Sequence, residues 1–69
     1  MLTSERINEL ANGEGVKTIA VQNFLWSLNE NAPMREALEN LTYDTMLYGW
    51  NDATLEAISV GVIEYYYNR

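Results

Sequence analysis

Apolar residues recur along the chain at the three- and four-residue spacings that put side chains on one face of a helix, and the pattern breaks wherever turn-forming residues cluster. Thr3 or Ser4 is placed to cap a first helix through Ala11 that buries Ile7, Leu10 and Ala11, and Asn12-Gly13-Glu14-Gly15 then stops it. A second helix is predicted over residues 16–29. At 100° per residue, Val21, Phe24, Leu25 and Leu28 form its core face, while Ile19 and Trp26, seven apart, lie nearly opposite as a second apolar stripe. Asn31 is the predicted cap of a third helix with Pro33 in its first turn, and Met34, Ala37, Leu38 and Leu41 follow at i, i+3, i+4 and i+7, the cleanest amphipathic pattern in the chain.

From Thr42 onward two readings stay open: a separate short helix holding Tyr43, Met46 and Leu47, or continuation of the third helix to Tyr48. Gly49 ends whichever is present, Trp50 is expected to fold back onto the core, and Asn51 or Asp52 caps a last helix over about residues 53–67. That helix carries Leu55, Ile58, Ser59, Val62, Tyr65 and Tyr66 on one broad face, with Val60 and Tyr67 on the other beside Glu56 and Glu64. Gly61 in mid-helix costs about 1 kcal/mol relative to alanine, which points to close approach of another backbone there, the favoured reading, or to tolerance at an exposed site. Residues 60–67 are rich enough in β-branched and aromatic types to read as a strand, but the cap and the helical pattern before them decide for helix. The expected fold is all-α, a small compact bundle of four to five short helices in a single domain spanning residues 1–69.

Composition narrows the chemistry. The 69 residues include no cysteine and no histidine, which removes disulfides, thiolate nucleophiles, imidazole bases and the usual zinc ligand sets, so neither a cofactor nor an enzymatic activity is expected. Ten Asp and Glu against four Lys and Arg leave a net charge of −6, the wrong sign for direct contact with a phosphate backbone. The basic residues Arg6, Lys17, Arg35 and Arg69 are scattered and read as partners for nearby acids or for the helix dipole. The beginning of the chain carries acids early and has no long apolar run, so no membrane association and a cytoplasmic address are expected.

Two local motifs invite a chemical reading and fail on spacing. Gly13-Glu14-Gly15-Val16-Lys17-Thr18 has the glycines, lysine and threonine of a phosphate-binding loop, but valine precedes the lysine and a helix precedes the motif, so it reads as a turn. Asp44 with Asp52, or Glu36 with Glu39, follow no calcium-loop spacing and read as solvated helix surface and capping groups.

Aromatic residues carry the functional expectation. Phe24, Trp50 and Tyr65 or Tyr66 are assigned to the core, and the remaining tyrosine and tryptophan are of the types enriched at protein interfaces. A small chain with surplus apolar faces predicts a non-enzymatic protein-binding module, its candidate contact residues being Ile19, Trp26, Glu56, Val60, Glu64 and Tyr67, with the acids selecting a basic partner surface. Two alternatives use the same features. One is an inhibitor that imitates nucleic acid, as in the phage-encoded, anti-CRISPR-like class, directed at a host nucleic-acid-binding or defence complex; the other is a self-associating structural or regulatory subunit, such as a homodimer.

Overall fold

The computed structural model describes residues 1–67. They form four helices and no strand: α1 (Ser4–Ala11), α2 (Thr18–Asn29), α3 (Met34–Tyr48) and α4 (Asp52–Tyr67). Thr42 therefore starts no separate helix; its hydroxyl donates back to the Leu38 carbonyl at 2.9 Å and α3 runs through to Tyr48. The Cα radius of gyration, 10.8 Å, is close to the roughly 11 Å expected of a compact chain of this length.

The centre of the molecule is α2, which packs against each of the other three helices. Its face of Val21, Phe24, Leu25 and Leu28 is buried as the spacing predicts, together with Ala20. Ile7 and Ala11 of α1, Ala37 of α3, and Ala57 and Ile58 of α4 close around it, and Leu2 joins from the segment before α1. Gly61 explains how α4 comes so near: a β-carbon built there would stand 2.5 Å from Cδ2 and 2.8 Å from Cδ1 of the fully buried Leu25. The missing side chain lets the Leu25 side chain lie directly against the α4 backbone.

The helix ends follow local polar chemistry. Thr3 caps α1 by accepting the Arg6 N–H at 3.1 Å. α2 begins at Thr18 and not at residue 16 because the chain before it is held extended by α4: the Lys17 N–H donates to Thr54 Oγ1 at 2.9 Å, and Asn51 Nδ2 donates to the Gly15 carbonyl at 2.7 Å. Asn51 also caps α4, its Oδ1 accepting from both the N–H and the hydroxyl of the fully buried Thr54.

Asn31 does not cap α3. It adopts a left-handed conformation, φ 59°, at the end of α2, where its N–H bonds to the Leu28 carbonyl and the Ala32 N–H to the Ser27 carbonyl. This is the Schellman arrangement, in which asparagine replaces the more usual glycine. Pro33 then stands at the cap position of α3. Gly49 ends α3 at φ 91° and ψ 177°, a region open essentially to glycine alone.

A consequence for function lies in what is not packed. Among the described residues α3 and α4 do not pack on one another, nor does α1 on α3. α3 and α4 stand apart over α2, and their facing sides are left partly open. No helix among the described residues is long and apolar enough to cross a membrane.

Candidate functional site

The open space between α3 and α4 is a groove of about 470 Å³. One wall is the amphipathic stripe of α3, Met34, Leu38 and Leu41; the other is α4, with Leu55, Ile58, Ser59, Val62 and Ile63. The ring of Phe24 on α2 forms the floor, and Trp50, in the connection between the walls, closes one end. Among the described residues no charged side chain lines it. Leu38 and Leu55, on the apolar faces of their helices, are each 48% exposed, and Trp50, expected in the core, is 46% exposed. The cause is that α3 and α4 do not pack on one another, so apolar stripes of the right period end up half-covered.

Beyond Ile63 the apolar surface continues. Val62, Ile63, Tyr66 and Tyr67 line an adjoining hollow of about 400 Å³. Tyr66 is half-exposed and meets the Tyr65 ring edge-to-face at 5.2 Å between centroids, so of the two tyrosines expected as alternatives in the core it is the outer one. Tyr65 itself is partly buried against the core, its hydroxyl donating to Asn31 Oδ1 at 3.3 Å.

The six contact residues read from sequence fall on different surfaces. Tyr67, 85% exposed, adjoins the groove at the end of α4. Trp26 is 40% exposed in a hollow between α2 and α3, and Ile19 is exposed seven residues earlier on the same stripe of α2. Glu56 and Val60 line a crevice of about 250 Å³ between α1 and α4, together with Glu9 and Glu14. Glu64 is engaged within the molecule: Arg6 Nε donates to its Oε1 at 2.7 Å and Nη2 to its Oε2 at 2.5 Å, a two-point pair joining α1 to α4. Arg69 lies outside the described residues.

The hydrogen bonds from Arg6, with its positive charge, hold the Glu64 carboxyl below the ordinary glutamate pKa of 4.5 against the opposing effect of partial burial, and the same bonds raise Arg6. A carboxyl whose folded value is depressed adds stability that is fully present above pH 4.5 and is lost as pH falls through the lower folded value. Both side chains are about one-third exposed, so solvent screening limits the pair to about 1 kcal/mol or less. Glu64→Gln is expected to lower stability by that amount at neutral pH. In urea titrations the difference from the parent chain should shrink as pH is lowered below 4.5; a gap of constant size at every pH would contradict this linkage.

Asp44 departs from its expected place on a solvated surface. It is buried in mid-α3 facing α2, where its Oδ2 accepts from Asn23 Nδ2 at 2.9 Å. Asp52 is exposed at the start of α4. Among the described residues no group of three or more Asp and Glu side chains is placed to hold a metal ion. Leu38, Leu55, Trp50 and Ile63 were not singled out as contact residues, because spacing marks a side chain as apolar-facing without saying whether anything covers it. Comparison with family models, with curated proteins and with solved structures gives no match, so any functional assignment rests on the geometry of these surfaces.

Proposed function

We propose that the chain is a non-enzymatic protein-binding module that receives an amphipathic helical segment of another protein between α3 and α4. The observation that carries this reading is the groove itself, with two helix walls held apart over a third and an uncharged lining. Mid-wall leucines with half their surface in water are costly to leave bare, at about 25 cal/mol per Å² of apolar surface. The α4 wall from Leu55 to Ile63 is about 12 Å long at 1.5 Å per residue, a little over two helical turns, which matches the i, i+3 or i+4, i+7 anchors of helix-in-groove recognition.

Charge favours a basic partner over a second copy. Two copies would each bring −6 to the interface. Of the charged side chains on the two wall helices, Arg35 of α3 is balanced by Glu39 at 3.1 Å, whereas exposed Asp52 at the start of α4 has no basic neighbour on its own helix. A basic residue flanking the apolar stripe of an incoming helix would meet that acid.

Leu38→Ser combined with Leu55→Ser tests the reading, since both positions are half-exposed and the double variant should keep the helical circular-dichroism signal of the parent chain. Recovery of bound protein from a cell lysate should fall by about ten-fold or more relative to the parent chain. Equal recovery by the two would remove the groove as the docking surface. A parent chain that is dimeric by light scattering and becomes monomeric in the double variant would hand the groove to a second copy.

A further inference from the structure

α3 turns Met34, Leu38 and Leu41 to the groove and Asn40, Tyr43 and Asp44 to its other flank, where they meet α2 in a hollow of about 340 Å³. Its composition differs from that of the groove. Trp26 and the 63% exposed Tyr43 contribute two aromatic rings, Asp44 lies buried against α2, and Glu30 stands at the exposed C-terminal end of α2. Asn23, which also lines the hollow, fixes Asp44 by donating to its Oδ2 at 2.9 Å. Among the described residues no lysine or arginine lines the hollow: Arg6 is engaged with Glu64 and Glu9, Arg35 with Glu39, and the Lys17 ammonium lies beside Gly49.

We propose that this hollow binds the cationic head of a basic side chain, arginine, lysine or methylated lysine, presented by a partner protein. Aromatic rings carry negative charge on their faces and attract an organic cation, and attraction grows when the cation is partly desolvated. Two carboxyl groups beside the rings add to that attraction and exclude anions. The asparagines and Ser27 offer neutral hydrogen-bonding groups to the remaining N–H donors of a guanidinium. The arrangement also gives the outward Trp26 an occupation that packing does not: it is a large ring 40% exposed on the helix whose opposite face is the core. None of the residues that line this hollow lines the groove.

The probes are Nα-acetyl-arginine amide, Nα-acetyl-trimethyllysine amide and, as the neutral near-isostere of arginine, Nα-acetyl-citrulline amide. They are titrated into the isotope-labelled parent chain, with the Trp26 indole N–H read against that of Trp50. Both cationic probes should produce saturable shifts at Trp26 and at the amides of Tyr43 and Asp44, leaving Trp50 unmoved. Citrulline should bind about ten-fold more weakly, and so should arginine to Trp26→Leu. Asp44 is buried and its replacement risks the fold, so Glu30→Gln and Tyr43→Leu, both at exposed positions, serve as the second test and should each weaken binding several-fold. The Leu38→Ser, Leu55→Ser chain should bind the cationic probes as the parent does, which separates failure of this inference from failure of the groove reading. Equal binding of arginine and citrulline, shifts spread over Glu5, Glu9 and Glu14, or binding unchanged by Trp26→Leu would each overturn it.

Discussion

Gly61→Ala is expected to destabilise the fold by about 1 to 2 kcal/mol, although alanine is the better helix former by about 1 kcal/mol. Two effects oppose each other at this position. Alanine reduces the freedom of the unfolded chain and favours helix, as it would at any exposed glycine. Its methyl group, however, would stand 2.5 and 2.8 Å from the two terminal carbons of Leu25, which is fully buried and has no open side to move into. Overpacking of this kind costs about 1 to 3 kcal/mol, which exceeds the propensity gain.

The same contact predicts strong coupling. Leu25→Ala alone should cost about 2 to 5 kcal/mol, close to the entire stability that a core of this size supplies. Adding Gly61→Ala to it places a methyl group in the vacated space and should recover about 1 kcal/mol, so the second substitution changes sign with its background. Urea unfolding of the four chains gives the cycle directly. Were Gly61→Ala to stabilise the parent chain, the glycine would be an ordinary exposed weakness in α4 and the close α2–α4 approach would have to be abandoned.

Local pattern made part of this fold legible. The core faces of α1 and α2 follow from spacing alone: Ile7, Ala11, Val21, Phe24, Leu25 and Leu28 are all buried as expected. Gly61 signalled close packing because a mid-helix glycine needs a reason. What spacing cannot supply is the existence of a cover. Met34, Leu38 and Leu55 obey the same periodicity as Phe24, yet they face a groove, since the number of helices available to close over them is a property of the whole chain. Long-range polar pairing was equally hidden. Glu64 and Arg6 lie 58 positions apart, and nothing near either residue announces the other. The late start of α2 has the same origin, in a hydroxyl 37 positions away that takes the Lys17 N–H. Trp26 was visible as a residue in need of a partner, but the aromatic and acidic neighbours that give its hollow a chemistry come from α3.

Asn29→Ala is expected to cost about 2 to 4 kcal/mol, more than a substitution of a polar residue at the end of a helix ordinarily does. Asn29 is buried, and its side-chain amide holds the backbone of Leu2 from both sides: Oδ1 accepts the Leu2 N–H at 2.9 Å and Nδ2 donates to the Leu2 carbonyl at 2.8 Å. Truncation leaves one donor and one acceptor in a site closed to water, at about 1 to 3 kcal/mol for each group not re-paired. The loss reaches further than the two bonds, because the Leu2 side chain is part of the core and is kept there by this clamp. Asn29→Asp distinguishes the two halves of the interaction. A carboxylate can still accept the Leu2 N–H but cannot donate to its carbonyl, so that variant should be destabilised at neutral pH and recover in part when acid protonates it. Hydrogen exchange supplies the local readout: the Leu2 amide should be protected in the parent chain and exchange freely in Asn29→Ala. If Leu2 exchanged equally fast in both chains and stability differed by less than about 0.5 kcal/mol, the segment before α1 would be held by its apolar side chain alone.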